Sequence, residues 1–319
     1  MVSEQEPELA AAALEGLSRY QEAPRFSERP ERPVIAQVGP AALRDYGGTG
    51  APAVLVPSLI NPPDVLDLDE HVSLASAVAK MGRRALLVDW GRASERSDLN
   101  LGGHVTELLL PLLTELGETP ALIGYCLGGT MAIAAANLTH VERVATLAAP
   151  WRFSAYPQQS RDSLLQLWST ARSTASHLHA LPMEVLQSAF WSLDPARTVA
   201  KFAGFAELPP DSAQARRFVT LEDWANEGEP LPYPAARELI EDLFGRDVPG
   251  NGEWEIGGRA MSDRLDCPVV NVTASEDRIT PAATAPSGSS AQVDSGHVGM
   301  IVGSARARLH ETLAGFLRG

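Results

Sequence analysis

Residues 121–130 read ALIGYCLGGT. The apolar run 121–125 is typical of a buried strand, and the glycines that follow it predict a sharp turn into a helix. A G-x-S-x-G turn holds a nucleophile on a strained strand-to-helix elbow above the end of a parallel sheet. Cys126 stands at the nucleophile position, between Gly124 and Gly128, where side chains would collide with the neighbouring strand and helix. A thiolate there is stabilised by the helix dipole and by free backbone N–H groups, so Cys126 is the candidate nucleophile.

A buried, unreactive cysteine in a glycine-rich turn would show the same short pattern, so two downstream residues are needed to favour catalysis. Asp277 follows the apolar run 269–274, and His297 follows the short run 291–295. Loop carboxylates and solvated loop histidines are common singly. These two, however, come just after strands, at the edge where doubly wound sheets build their sites. The order nucleophile, acid, histidine is that of the α/β-hydrolase fold, and it predicts a Cys126–Asp277–His297 triad.

The rest of the chain alternates apolar runs with segments of helical periodicity. The predicted strands are 34–38, 43–46, 53–57, 85–90, 121–125, 144–149, 269–274 and 291–295. The first two form a predicted hairpin. The alternation that follows predicts the α/β class, and specifically an α/β-hydrolase fold with a mostly parallel sheet.

Three segments differ enough to predict a domain organisation. Residues 1–33 are polar and interrupted by prolines, and we expect a loosely attached N-terminal arm. Residues 34–150 and 262–319 form the predicted core. The intervening stretch, 151–261, is far longer than one crossover helix requires and carries helical patterns. We predict a largely helical cap insertion over the site; the alternative is a decorated edge with no role in substrate access.

Composition excludes several function classes. The 319 residues are 45% hydrophobic and 21% charged, which is typical of a globular protein. A net charge of −14 argues against a nucleic-acid partner, because neutralising phosphates dominates that affinity. No apolar run is long enough for a membrane span, and no secretory signal is visible. With two cysteines, a reducing cytoplasmic location is expected. No motif predicts a metal or another cofactor.

Several segments together resemble the successive signatures of polyhydroxyalkanoate synthases. They are LINPPDVLDL (59–68), LVDWG (87–91), GYCLGGT (124–130), SEDR (275–278) and SGHVGMIV (295–302). The segment EIGGR (255–259) is similar to the one before the penultimate strand in the short, two-subunit forms. The resemblance runs from about residue 34 to the C-terminus and is thin across 151–230. The absence of the long N-terminal domain of single-subunit synthases also suits the two-subunit type.

This resemblance implies an acyltransferase that moves a hydroxyacyl group from coenzyme A through a thioester on Cys126 to a polyester hydroxyl. His297 would take the thiol proton. Asp277 would orient the imidazole or, in a second view, help to activate the hydroxyl. The backbone N–H groups of Leu127 and of the loop near Ile60 would form the oxyanion hole. Arginines such as Arg152, Arg161 and Arg172 could meet the coenzyme A phosphates if they gather locally.

The identity of the group that accepts the acyl chain stays open, because a fold and a triad do not determine it. With water as acceptor, the chain would be a cysteine-nucleophile hydrolase, either a thioesterase or an intracellular polyester depolymerase. A third hypothesis is a non-catalytic granule-associated homologue. The expected substrate partner is a hydroxyacyl-coenzyme A or a polyester. A homodimer, a second synthase subunit and a place on the surface of polyester granules also stay open.

Overall fold

The computed structural model describes residues 7–25, 31–193 and 195–319. Within these residues the central sheet has eight strands in the order β1-β2-β4-β3-β5-β6-β7-β8. Strands β3 to β8 run parallel to their neighbours, whereas β1 and β2 join at one edge in antiparallel pairings. The predicted α/β class, the hairpin and the mostly parallel sheet are therefore confirmed. The strands are β1 (Val34–Val38), β2 (Ala41–Asp45), β3 (Pro52–Val56), β4 (Arg84–Asp89), β5 (Ala121–Tyr125), β6 (Arg143–Leu147), β7 (Val269–Ala274) and β8 (Ser289–Val293).

Helices fill the connections between strands and most of the segment 151–261. Two of them, α3 and α9, contain a stretch with the wider π-helical turn, at His104–Leu109 and Glu238–Gly245. The helices are α1 (Pro7–Glu22), α2 (Leu74–Lys80), α3 (101–115), α4 (Leu127–Leu138), α5 (Gln158–Leu178), α6 (Met183–Leu193), α7 (Pro195–Ala206), α8 (Ala213–Asn226), α9 (233–245), α10 (Val248–Asn251), α11 (Gly299–Val302) and α12 (Arg306–Arg318). No helix among the described residues is long and apolar enough to cross a membrane.

The strand order places the candidate active site near the centre of the sheet. All five residues of β3 and of β5 are buried, which means that both faces of these strands are covered. β3 lies between β4 and β5, so the chain goes to one side of it first and then to the other. Ligands bind at such a switch point, outside the carboxyl ends of the strands. The segments that meet there are the loop after β3 and the turn after β5.

The chain divides into two compact units. One comprises Glu31–Met183 and Glu229–Gly319 and holds the whole sheet. The other comprises Met1–Pro30 and Glu184–Gly228. The predicted division into arm (1–33), core (34–150 and 262–319) and cap (151–261) stays a prediction. Residues 1–6 and 26–30 of that arm, and residue 194 of that cap, lie outside the described residues.

Helix α1, which belongs to the predicted arm, packs against a helix of its own unit. It lies against α7, and Tyr20 joins an apolar cluster with Phe205 and Val219. At Gly16 a Cβ atom would lie 1.9 Å from the carbonyl oxygen of Phe202, so only glycine permits this approach. Gly16 and Tyr20 are the residues that α1 buries, which is too few to produce a visible apolar period.

Candidate active site

Cys126 occupies the turn between β5 and α4 in a strained backbone conformation. Its φ is 53°, a left-handed value that side chains other than glycine rarely adopt. Two hydrogen bonds hold it there: its N–H donates to the carbonyl of Leu147 at 2.9 Å, and its carbonyl accepts from Gly129 at 2.9 Å. Strain that persists because neighbouring strands enforce it is typical of functional sites.

The glycines around Cys126 are required by close packing. A Cβ atom at Gly124 would lie 2.4 Å from the Cα of Gly129, and one at Gly128 would lie 2.1 Å from the carbonyl oxygen of Val56. A Cβ at Gly129 would lie 2.3 Å from that of Ala149. The motif spacing therefore lets α4 begin directly against the ends of β3 and β5.

His297 and Asp277 meet in the loops after β8 and β7. His297 Nδ1 lies 2.7 Å from Asp277 Oδ2, and since a carboxylate only accepts, Nδ1 carries the proton. The other oxygen, Oδ1, accepts from the N–H groups of Ile279 at 2.9 Å and Thr280 at 2.7 Å. The carboxylate side chain is fully buried, and both of its oxygens are engaged.

The other side of the imidazole hydrogen-bonds to Cys126. Burial alone would lower the pKa of His297. The negative charges of Cys126 and Asp277, together with the hydrogen bonds to both, outweigh burial and raise the pKa of His297 to about 10. The structure thus brings the three predicted residues together, with His297 between the carboxylate of Asp277 and the sulfur of Cys126.

Two tyrosines complete the surroundings of the triad. The Tyr125 ring lies 5.1 Å from the His297 ring, centroid to centroid, and its hydroxyl donates to the His297 carbonyl at 3.3 Å. Tyr156 interacts electrostatically with Cys126. Burial, and secondarily the charge of Cys126, raises the pKa of both hydroxyls, so both stay protonated at neutral pH. No sequence pattern gave either tyrosine a role, and the only signal for Tyr156 was its place shortly after β6.

The residues predicted to form an oxyanion hole lie on the two segments that meet at the switch point. Leu127 is the first residue of α4, where helix geometry leaves N–H groups without intrahelical partners. Ile60 lies on the loop after β3, and its N–H donates to Ser58 Oγ at 3.2 Å. Trp90 Nε1 anchors this loop by donating to the Pro57 carbonyl at 3.1 Å. The oxyanion roles of Leu127 and Ile60 stay predictions.

Comparisons with known proteins agree with this fold. No family model matches the chain. It is 25% identical over 275 residues to a protein of Haloarcula marismortui, covering 79% of this chain and 57% of that protein. It is 25% identical over 276 residues to a protein of Allochromatium vinosum, covering 79% of this chain and 76% of that protein. Both are named poly(3-hydroxyalkanoate) polymerase subunit PhaC. The chain thus spans little more than half the length of the haloarchaeal relative.

Solved structures show the same fold. Epoxide hydrolase A from Mycobacterium thermoresistibile superposes with a TM-score of 0.57 at 16% identity, covering 91% of this chain and 99% of that chain. A bromoperoxidase from Bacillus anthracis gives a TM-score of 0.54 at 15% identity, covering 88% and 95%. The chain has the α/β-hydrolase fold, and its sequence is similar to those of polyhydroxyalkanoate synthases. The resemblance and the fold predicted from the sequence are confirmed.

The arginines that could have met a coenzyme A in this synthase-like protein are held by protein oxygen atoms. Arg152 pairs with Asp263 at 2.8 Å, and Arg172 pairs with Glu241 at 3.3 Å. Arg161 donates to the carbonyl oxygens of residues 244 and 245 at 2.9 and 3.0 Å. These contacts give each of the three a structural role. Among the described residues, no group of three or more acidic, histidine or cysteine side chains could hold a metal ion.

Proposed function

We propose that this chain is an acyltransferase of the polyhydroxyalkanoate synthase type. It moves a hydroxyacyl group from coenzyme A through a thioester on Cys126 to the hydroxyl of a polyester. The observation that carries the proposal is a cysteine in the nucleophile elbow, hydrogen-bonded to a histidine that Asp277 orients. The names of the relatives support the same chemistry.

In the first step, the Cys126 thiolate attacks the carbonyl carbon of the thioester. The oxyanion that forms is stabilised by the N–H groups of Leu127 and Ile60, the latter exchanging its bond to Ser58 for the stronger acceptor. The carbon–sulfur bond to coenzyme A then breaks. The departing sulfur takes the proton held by the imidazolium of His297, which leaves an acylated Cys126 beside a neutral imidazole.

In the second step, neutral His297 accepts the proton of the incoming hydroxyl as its oxygen attacks the acyl carbon. An ester bond forms, the bond to Cys126 breaks, and the thiolate–imidazolium pair is restored. Asp277 holds the imidazole throughout. Its two oxygens are occupied by His297 and by two backbone N–H groups, which supports the orienting role rather than direct activation of the hydroxyl.

Sulfur suits transfer to an alcohol for a chemical reason. A thioester on Cys126 is close in energy to the thioester substrate, so it stays activated towards the next hydroxyl. A serine ester would be no more activated than the ester product. The cysteine in an elbow that otherwise carries serine therefore favours transfer over simple hydrolysis.

Product analysis after incubation with 3-hydroxybutyryl-coenzyme A tests this proposal. The expected products by mass spectrometry are free coenzyme A and linear oligomers of 3-hydroxybutyrate, and neither forms with Cys126→Ala. Free 3-hydroxybutyrate as the sole product would overturn the proposal in favour of a cysteine hydrolase. No consumption of the thioester would favour the non-catalytic hypothesis.

A further inference from the structure

Three buried hydroxyl groups lie together beside the triad, and the chemistry above uses none of them. They belong to Tyr156, Thr280 and Thr284, whose exposed fractions are 8%, 3% and 0%. Tyr156 follows β6, while the two threonines lie in the turn after Asp277. The Tyr156 hydroxyl lies next to those of both threonines.

Backbone hydrogen bonds hold these two segments against each other. The carbonyl of Thr284 accepts from the N–H groups of Trp151 at 2.7 Å and Arg152 at 3.0 Å. The Tyr156 ring packs against Phe153 and Phe244, with centroid distances of 5.9 and 4.8 Å. An aromatic ring packed in this way can point its hydroxyl in few directions, so the position of the hydroxyl beside Cys126 is built into the fold.

The hydroxyl of Thr280 is incompletely bonded. Its Oγ1 is buried, yet it makes no well-formed hydrogen bond among the described residues. Its neighbour is satisfied, since Thr284 Oγ1 donates to the Pro281 carbonyl at 2.7 Å. The contact of Thr280 with the Tyr156 hydroxyl leaves hydrogen-bonding capacity of its Oγ1 unused, and unused capacity in a buried hydroxyl is costly. The backbone of Thr280 is held next to the triad, because its N–H donates to the Asp277 carboxylate at 2.7 Å.

The interaction of Tyr156 with the sulfur of Cys126 indicates which ligand group the hydroxyls of Tyr156 and Thr280 would bind. The hydroxyl stays protonated and is available as a donor, and it interacts with Cys126. An acyl group on Cys126 brings the same neighbourhood a carbonyl and, in a 3-hydroxyacyl chain, a hydroxyl on the second carbon beyond it. A hydroxyl both donates and accepts, so it can bond the tyrosine donor and a remaining acceptor position of the threonine oxygen at once.

We propose that Tyr156 and Thr280 form a subsite that hydrogen-bonds the 3-hydroxyl of the acyl chain carried on Cys126. The inference rests on the proposed acyl transfer and names its specificity determinant. The surrounding rings of Phe153 and Phe244 are apolar and would by themselves accept a plain acyl chain. The two hydroxyls therefore make the difference between a hydroxyacyl and an unsubstituted acyl substrate.

The first test compares 3-hydroxybutyryl-coenzyme A with butyryl-coenzyme A, which lacks the hydroxyl, by the initial rate of coenzyme A release. We expect Tyr156→Phe and Thr280→Val each to lower kcat/KM for the hydroxyacyl thioester about tenfold, as loss of one hydrogen bond does, and to leave the butyryl thioester unchanged. Tyr233→Phe is the matched control, because it also removes a tyrosine hydroxyl, one that hydrogen-bonds to Arg172. Thermal melting checks the fold of every variant.

The second test does not require turnover. Calorimetric titration of both thioesters into Cys126→Ala should show tighter binding of the hydroxyacyl one, and adding Tyr156→Phe should remove that preference. If neither thioester is consumed, the proposed function fails while this titration still decides the subsite. Equal losses for both thioesters would show a general packing role and overturn the inference. Unchanged discrimination in both variants would show that water fills the position, and would overturn it too.

Discussion

His297 Nδ1 and Asp277 Oδ2 are 2.7 Å apart, although they lie on separate loops. The two loops follow β7 and β8, which are neighbouring parallel strands. Beyond the strands the pairing continues, since Ser275 N–H donates to the Val293 carbonyl and Glu276 N–H donates to the Ser295 carbonyl, both at 2.9 Å. The register of the sheet therefore sets the distance between base and acid, and the nucleophile arrives at the same edge from β5.

The charge of Asp277 supports the imidazolium, so its removal should impair acylation. Asp277→Asn keeps the shape but lacks the negative charge and offers an amide group to Nδ1. We expect the initial rate of coenzyme A release to fall about 100-fold or more, as in other triads that lose this charge. Asp294→Asn is the matched control on the neighbouring loop, where Asp294 accepts from Ser275 Oγ. Similar losses in both variants would contradict an orienting role for Asp277.

Cys126 should react with iodoacetamide far faster than the other thiol of the chain at neutral pH. Its partner His297, whose pKa is raised to about 10, hydrogen-bonds to the sulfur, and cysteines beside a protonated histidine are the reactive ones. Cys267 is an internal control, because burial raises the pKa of its half-buried thiol. Peptide mass spectrometry reads both sites at once. In His297→Gln the preference for Cys126 should largely disappear; a preference that survives would mean that His297 does not activate the thiol.

The His297 interaction should contribute stability in a defined pH range. Its pKa is about 10 in the folded protein, above the value of about 6.5 expected in the unfolded chain. The folded state therefore holds the proton more tightly, and the contribution is fully present below about pH 6.5 and is lost as pH rises towards 10. Melting temperatures of the wild type and His297→Gln, measured from pH 6 to 10, should converge as pH rises. A gap that widens with pH would contradict the ion pair.

The elbow should tolerate no side chain at Gly128. The added Cβ of Gly128→Ala would lie 2.1 Å from the backbone oxygen of Val56, which cannot move without disturbing β3. We expect the free energy of unfolding to fall by about 3 kcal/mol or more, as for overpacked interiors. Gly315→Ala is the control: nothing lies within 4 Å of its Cβ in helix α12, and a gain of up to about 1 kcal/mol is expected there. Urea denaturation measures both.

Much of the sheet could be predicted from sequence because its central strands are buried on both faces. β3 and β5 are therefore continuous apolar runs that need no alternation to be recognised. The elbow was visible because three close contacts, two with backbone atoms and one with the Cβ of Ala149, each demand a glycine. The triad followed from residues that come directly after strands, since the carboxyl ends of parallel strands share one edge.

Other features left too little trace in the sequence. Helix α1 is anchored by a glycine contact and one tyrosine, and neither produces an apolar period. The contact between Tyr156 and Thr280 could not be predicted, because the two residues are far apart in the chain. Neither of them belongs to a recognisable motif. The bond from Ile60 to Ser58 depends on the exact path of a loop. Side-chain contacts of this kind are determined by tertiary packing rather than by the local sequence pattern.

The central claim is that the acyl group passes through the sulfur of Cys126. Intact-protein mass spectrometry after brief incubation with 3-hydroxybutyryl-coenzyme A tests it most directly. We expect a mass increase of one or more hydroxybutyryl units, mapped by proteolysis to the peptide of Cys126 and missing in Cys126→Ala. Coenzyme A release without any adduct on that peptide, or with an adduct that persists in Cys126→Ala, would contradict it.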